Sequence, residues 1–352
     1  MADLPFTHFH SAHCESGVTA SLISHHGLLL TEPMAFGIAA GLFFIHLPVK
    51  SVFGAPNTNF RSAPGGIFRK TCQRLGVKYE IRTYRDVEKG LRELEQLVAG
   101  GTPVGVQTNV FWLSHMPKRF RFQFNAHNLV VFGKSEEGWT VSDPVLEVPL
   151  ICTAPSMARA RFAKGFLAPK GKLYFVKEVP VADPARLRSA VRTGIIETAK
   201  GMARIPIPLF GGKAIGLLAD RMEKWPAIYS DPQDSLTQLS NVVRMQEEIG
   251  TGGAGFRYLF AAFLQQAAPV LDDVKYLAFS EQLTDIGDTW RQFAAKCARI
   301  CRNQKVESPA FAEAAALVRD CGVREIALFS EILAHEQQKA RPAAALLASS
   351  NS

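Results

Sequence analysis

The six cysteines of this chain stand at 14, 72, 152, 297, 301 and 321, with no CxxC pair and no finger-like spacing. That excludes the common structural zinc sites and a disulfide framework, and usage this sparse suits a reducing compartment, read here as the cytoplasm. The N-terminus lacks a basic segment followed by an apolar stretch, which argues against a secretory signal. Long hydrophobic runs are missing too. The most apolar segment, 34–49, is broken by Gly37, Gly41 and Pro48 and holds His46, so it reads as buried core rather than a membrane span. There is no GxSxG elbow for a serine hydrolase. The glycine-rich stretch from Gly250 to Gly255 lacks the Lys-Ser/Thr ending of a phosphate loop and reads as a tight helix–helix joint. No zinc finger, RNP-like aromatic motif or basic repeat supports nucleic-acid binding.

What is present is the composition of an ordinary globular protein. At 352 residues, 47% hydrophobic and 20% charged, the chain has length enough for two domains. Its formal charge of +8 is unevenly spread. Residues 151–230 carry 14 Lys and Arg against 5 acidic residues, while the flanking stretches are near balance. A basic segment of this kind implies an acidic partner more than a fold. An acidic protein and an anionic membrane surface both suit it.

Periodicity changes near residue 180. A helix is expected from Cys14 to His26, an amphipathic run ending at Gly27, with a second short helix from Pro33 to Ala40 capped by Thr31. Residues 41–47 read as a buried strand and 48–63 as a loop. A helix at 66–75, a strand at 77–84 and a helix at 85–99 follow. Strands are then expected at 103–109, 127–133, 139–143 and 171–177, with a long aromatic and basic loop or edge hairpin over 110–125. Beyond 180 the pattern is helical throughout, over 184–203, 212–224, 235–249, 255–268, 273–285, 287–303, 309–320 and 323–340. The expected class is α+β, with a catalytic domain over 1–180, a helical domain over 181–340 and a disordered tail over 341–352.

Three residues in the first half carry the chemistry. Cys14 opens the first helix, in the field of unpaired backbone N–H groups that favours thiolate over thiol. His127 opens a strand, and Asp143 ends the hairpin partner of that strand, so cross-strand pairing can bring the two together. A nucleophile, a base and an acceptor that orients the base are the parts of acyl transfer. Singly, each has an ordinary reading as a buried cysteine, a strand-start histidine or an Asp-Pro turn. Their order along the chain gives them weight. His8, His10, His13 and His115 offer workable metal spacing, but no acidic pattern completes a site and no metal is expected.

That order resembles the papain-like cysteine superfamily and, more narrowly, the butirosin biosynthesis protein H family. The resemblance rests on His13-Cys14-Glu15-Ser16 and on Leu-Leu-x-x-Glu-x-x-x-Phe-Gly across Leu28 to Gly37. It continues through Gly41-Leu42-Phe43-Phe44, Gly101-Thr-Pro-Val-Gly-Val-Gln107, His127-Asn-Leu-Val-Val-Phe-Gly133 and Val141-Ser-Asp-Pro144. In the helical half it takes in Gly250 to Arg257 and Phe260 to Leu264. It implies a papain-like N-terminal domain, a helix bearing Cys14 packed on an antiparallel sheet, with Cys14, His127 and Asp143 as the triad. The oxyanion would be held by the Cys14 backbone N–H and one side chain. His8 stands at the spacing where papain-like enzymes carry a glutamine donor, with His10 and His13 as rivals.

The member that names the family moves an acyl group from a carrier-protein thioester onto an amine of an aminoglycoside. The resemblance therefore implies an acyltransferase working through a Cys14 acyl-enzyme, in specialised-metabolite or lipid biosynthesis. Its substrate would be a phosphopantetheine-linked acyl thioester, on a carrier protein or coenzyme A, with no permanently bound cofactor. Its partners would be an acidic acyl carrier protein, docked by basic segments at 118–121 and 157–177, and an amine-bearing small molecule or lipid. The apolar run 34–47 and the helical domain would line a tunnel that excludes water. Peripheral membrane contact and a homodimer are compatible with this reading. The chain departs from the family at Asn109, where an acidic residue often stands. In the next loop, Trp112, His115 and Pro117 with Lys118, Arg119 and Arg121 replace a tyrosine–proline pair. Asn109, Trp112, Lys118, Arg119 and Arg121 are thus candidate substrate or carrier contacts. The alternatives are a cysteine amidase or peptidase, and a non-catalytic scaffold that only binds an acyl carrier.

Overall fold

The computed structural model of the chain describes residues 5–50, 56–304 and 306–340; the tail expected beyond 340 lies outside the described residues. In chain order the first elements are α1 (Cys14–His25), α2 (Glu32–Ile38), β1 (Leu42–Lys50), β2 (Pro56–Arg61), α3 (Ile67–Leu75), β3 (Lys78–Arg82) and α4 (Val87–Ala99). Then come β4 (Val104–Thr108), β5 (His127–Lys134), β6 (Trp139–Ser142), β7 (Leu150–Cys152), α5 (Ala154–Arg161) and β8 (Leu173–Glu178). The remainder is helical: α6 (Pro184–Ala203), α7 (Gly211–Met222), α8 (Trp225–Ile228), α9 (Pro232–Glu247), α10 (Arg257–Leu271), α11 (Lys275–Asn303) and α12 (Ser308–Ala340). The class is α+β. No helix among the described residues is long and apolar enough to cross a membrane.

These elements form two compact units, neither of them one stretch of sequence. Residues 1–39 join 63–190, and 40–62 join 191–352. The boundary falls at 190, inside α6, rather than near 180. The segment 40–62 belongs with the helices and is not the expected strand followed by a loop: β1 and β2 pair antiparallel, with His46 opposite Thr58. The residues 51–55 between them lie outside the described residues.

In the first unit a six-stranded antiparallel sheet runs in the order β3-β8-β4-β5-β6-β7. Val104, Val106, Leu129, Val131, Val141, Leu173 and Phe175 form one buried cluster with Leu94 and Val98 of α4 and Met157 and Ala160 of α5. α1 packs against β4, β5 and β8. Every residue of α1 from Cys14 to Ile23 is buried, so the helix is enclosed on all faces rather than amphipathic. Small and short side chains such as Gly17, Ala20 and Ser21 permit this; a Cβ at Gly17 would meet Ser11 Cβ at 2.7 Å and Pro144 Cβ at 2.8 Å. β7 and α5 were not expected from the sequence, and residues 110–125 form two short 3-10 turns within a loop, not a hairpin.

The second unit is organised on a buried ion pair. Arg257 donates to both carboxylate oxygens of Glu325, from Nε at 2.9 Å and Nη2 at 2.8 Å, and Trp290 Nε1 donates to Oε1 at 2.8 Å. The guanidinium lies over the rings of Phe44 and Phe60 from the hairpin and over Trp290. α11 and α12 each run unbroken where two helices were expected. Two glycines inside these helices serve close packing: a Cβ at Gly287 would meet the Tyr258 ring at 2.7 Å, and one at Gly322 would meet Ile215 at 3.1 Å.

Candidate active site

Cys14 is the first residue of α1, and both of its neighbours are locked. His13 caps the helix, its Nδ1 accepting from Ser16 N. Glu32 accepts from Ala12 N at 3.0 Å, His13 N at 2.7 Å and the Ser16 hydroxyl at 3.1 Å, so one carboxylate grips the whole turn that presents the thiol. Burial raises the Glu32 pKa, and those same donors oppose the rise. Glu15 accepts from Gly65 N at 3.1 Å and Ile67 N at 2.8 Å. It thereby caps α3, whose own N-cap, Gly66, makes no side-chain cap bond.

His127 opens β5 opposite Thr108, the last residue of β4. Val130 of β5 stands opposite Ser142 of β6. That register brings Asp143, the next residue, beside His127, as the hairpin argument expected. His127 Nε2 donates to Asp143 Oδ2 at 2.8 Å, with both side chains buried. With Nε2 so used, Nδ1 is the nitrogen left for Cys14, whose sulfur interacts with the ring. Burial works against a charged imidazole here, but the Asp143 carboxylate and Cys14 outweigh it and hold the His127 pKa up at about 10. Burial likewise opposes the Asp143 carboxylate; His127 and His115 overcome it and keep the carboxyl well below its ordinary range. A buried imidazolium between a sulfur and a carboxylate is equipped for nucleophilic chemistry at sulfur.

The remaining candidates divide. His8 accepts from Ser142 Oγ at Nδ1 (2.7 Å) and donates to Leu146 O from Nε2 (2.9 Å). Both nitrogens are committed, so no N–H remains for an oxyanion, and its role is to fasten the N-terminal segment to the Asp143 turn. His13 is excluded as a rival by its capping role. Asn109 is buried; its Nδ2 donates to Gln123 and Asn125, and its Oδ1 accepts from Phe111 N. Arg121 donates to Ser114 O and Met116 O, both at 2.8 Å. These two brace the loop from within. Trp112 is exposed with Arg159 over its ring, and Lys118 and Arg119 are also exposed. Among the described residues no cluster of three or more His, Cys, Asp or Glu could hold a metal ion.

One residue at the site escaped the sequence reading. His115, named in the sequence as a metal candidate and as part of the divergent loop, places Nε2 3.1 Å from Asp143 Oδ2. The one signal for it in the sequence was that a histidine stood in a loop that returns to the start of β5.

Residues 13–144 match the family described as butirosin biosynthesis protein H, N-terminal. Residues 155–332 match the family described as a domain of unknown function, DUF4872. A crystal structure described as a C39-like peptidase from Bacillus anthracis is similar to this chain, with 15% identity, 51% of this chain and 100% of the other covered, and a TM-score of 0.35. No curated protein matches. With the DUF4872 match covering half of its length, the chain belongs to the DUF4872 family, and its N-terminal region is similar to the butirosin biosynthesis protein H N-terminal family.

Proposed function

We propose that the chain is a cysteine acyltransferase that takes an acyl group from a thioester and passes it to an amine. The observation that carries this reading is the buried His127–Asp143 pair, 2.8 Å apart, with Cys14 against the imidazole. His127 holds the proton that leaves Cys14 as its sulfur attacks. Cys14 Sγ attacks the thioester carbonyl carbon, and the oxyanion forms beside the Cys14 backbone N–H, one of the unpaired donors of the helix start. Collapse breaks the bond to the donor sulfur, which takes the His127 proton. The amine then attacks the acyl-enzyme, gives its proton to His127, and expels Cys14 as thiolate. Asp143 holds the ring in one tautomer through both halves.

Exchanging one thioester for another costs little, so the acyl-enzyme stores the energy for amide formation. An acidic acyl carrier is the donor best suited to the exposed Lys118, Arg119 and Arg159 beside Trp112. The test is intact mass measurement after incubation with a panel of acyl thioesters, followed by addition of amines. A covalent acyl adduct discharged faster by an amine than by water supports the transferase. An adduct that only water discharges makes the chain a hydrolase, and no adduct with any donor removes the catalytic reading.

A further inference from the structure

Asp143 receives two imidazoles. His127 and His115 both place Nε2 on Oδ2, at 2.8 and 3.1 Å, while among the described residues Oδ1 has only a long 3.4 Å contact from Val145 N. A buried carboxylate offers roughly four lone-pair directions, and leaving them unmet in a dry site is costly. The His115 side chain is 1% exposed, and its Nδ1 is enclosed with no partner among the described residues. A proton on Nδ1 would be an orphaned donor, so the geometry assigns it to Nε2, the atom that meets Asp143.

The surrounding loop is built to hold that ring. Leu113 and Met116 are buried in the cluster under the sheet. Arg121 clasps the carbonyls of Ser114 and Met116, the residues on either side of His115. Ser114 Oγ in turn accepts from Thr153 N, next to the end of β7, at 3.0 Å. We propose that His115 is a positioning residue: its Nε2–H, delivered by the Arg121-braced loop, keeps the Asp143 carboxylate ionised and turned toward His127. This rests on Cys14, His127 and Asp143 being the reactive centre, and not on which acyl donor or acceptor they serve.

A second N–H donor on Oδ2 makes the Asp143 anion harder to protonate. The other ionisable groups around the centre are Cys14 and Glu15 on α1, Tyr174 on β8, Cys152 on β7 and Arg121 in the loop. His8 reaches it only through Ser142.

The experiment is the pH profile of Cys14 alkylation by iodoacetamide, in the full chain, for wild type, His115→Met and His115→Gln. His115→Met removes the donor and keeps the volume; His115→Gln restores an N–H. The expected result is an acid limb shifted upward by about half to one pH unit in His115→Met, the size of one lost hydrogen bond to a carboxylate, and returned toward wild type in His115→Gln. Coincident profiles for Met and wild type, or equal shifts in Met and Gln, would overturn the proposal. Should His115→Met fail to fold, nitrogen NMR of the histidine rings in the unaltered protein decides. The Nε2–H tautomer at His115 is expected, and the Nδ1–H tautomer contradicts it. Failure of the acyltransfer reading shows separately, as a wild type that iodoacetamide labels at Cys14 but no thioester acylates.

Discussion

Glu32 Oε1 accepts the backbone N–H of His13 at 2.7 Å, so a carboxylate one helix further along the chain fixes the residue immediately before Cys14. The same side chain takes Ala12 N and the Ser16 hydroxyl. Glu32→Ala leaves three donors without their acceptor, two of them backbone. Destabilisation of about 1–3 kcal/mol is expected, together with slower Cys14 alkylation at neutral pH, read from a thermal melt and an iodoacetamide time course.

Glu15 acts on the other side of the thiol. Its carboxylate caps α3 from outside that helix, so Glu15→Ala should cost about 1 kcal/mol, the typical loss of a side-chain cap. Amide hydrogen exchange should quicken at Gly65 and Ile67, the two donors it accepts from, and stay unchanged in α11 and α12.

The two members of the buried pair set a pH window with opposite signs. His127 has its pKa raised from 6.5 to about 10. Its stabilisation is therefore complete below the unfolded value and is lost as pH rises through about 10. Asp143 is depressed, so its contribution is present above the ordinary carboxylate range and is lost as pH falls. Single-turnover acylation should hold from neutral into mildly alkaline solution and fall as pH passes about 10. In Asp143→Asn the alkaline fall should move down toward the ordinary imidazole range, near 6.5.

The Arg257–Glu325 pair is fully enclosed. Glu325→Gln leaves a buried guanidinium without its counter-charge and should cost about 3–5 kcal/mol, whereas Arg257→Met with Glu325→Leu together should cost less than the single change. Chemical denaturation of the two variants beside wild type checks the ordering.

The meeting of His127 and Asp143 near Cys14 was legible because each sits at an element boundary that the sequence marks, and because hairpin register fixes which residues meet. His115 was not, since it reaches Asp143 from a loop whose path the sequence does not dictate. The bracing bonds of Asn109 and Arg121 were hidden for a related reason. A polar side chain in a loop looks like a surface contact until the backbone groups it satisfies are known, and both serve backbone or side-chain partners within 110–125. The assignment of residues 40–62 to the catalytic unit failed because chain order is a poor guide to which core takes up an apolar hairpin; Phe44 and Phe60 found Arg257 and Trp290 instead.

The central claim is that Cys14 carries the acyl group. Peptide mapping by mass spectrometry after brief exposure to an acyl thioester tests it most directly, with wild type and Cys14→Ala compared. The expected result is one acylated peptide, containing Cys14, that disappears in the variant. Acylation on any other cysteine, or equal labelling in Cys14→Ala, would contradict it.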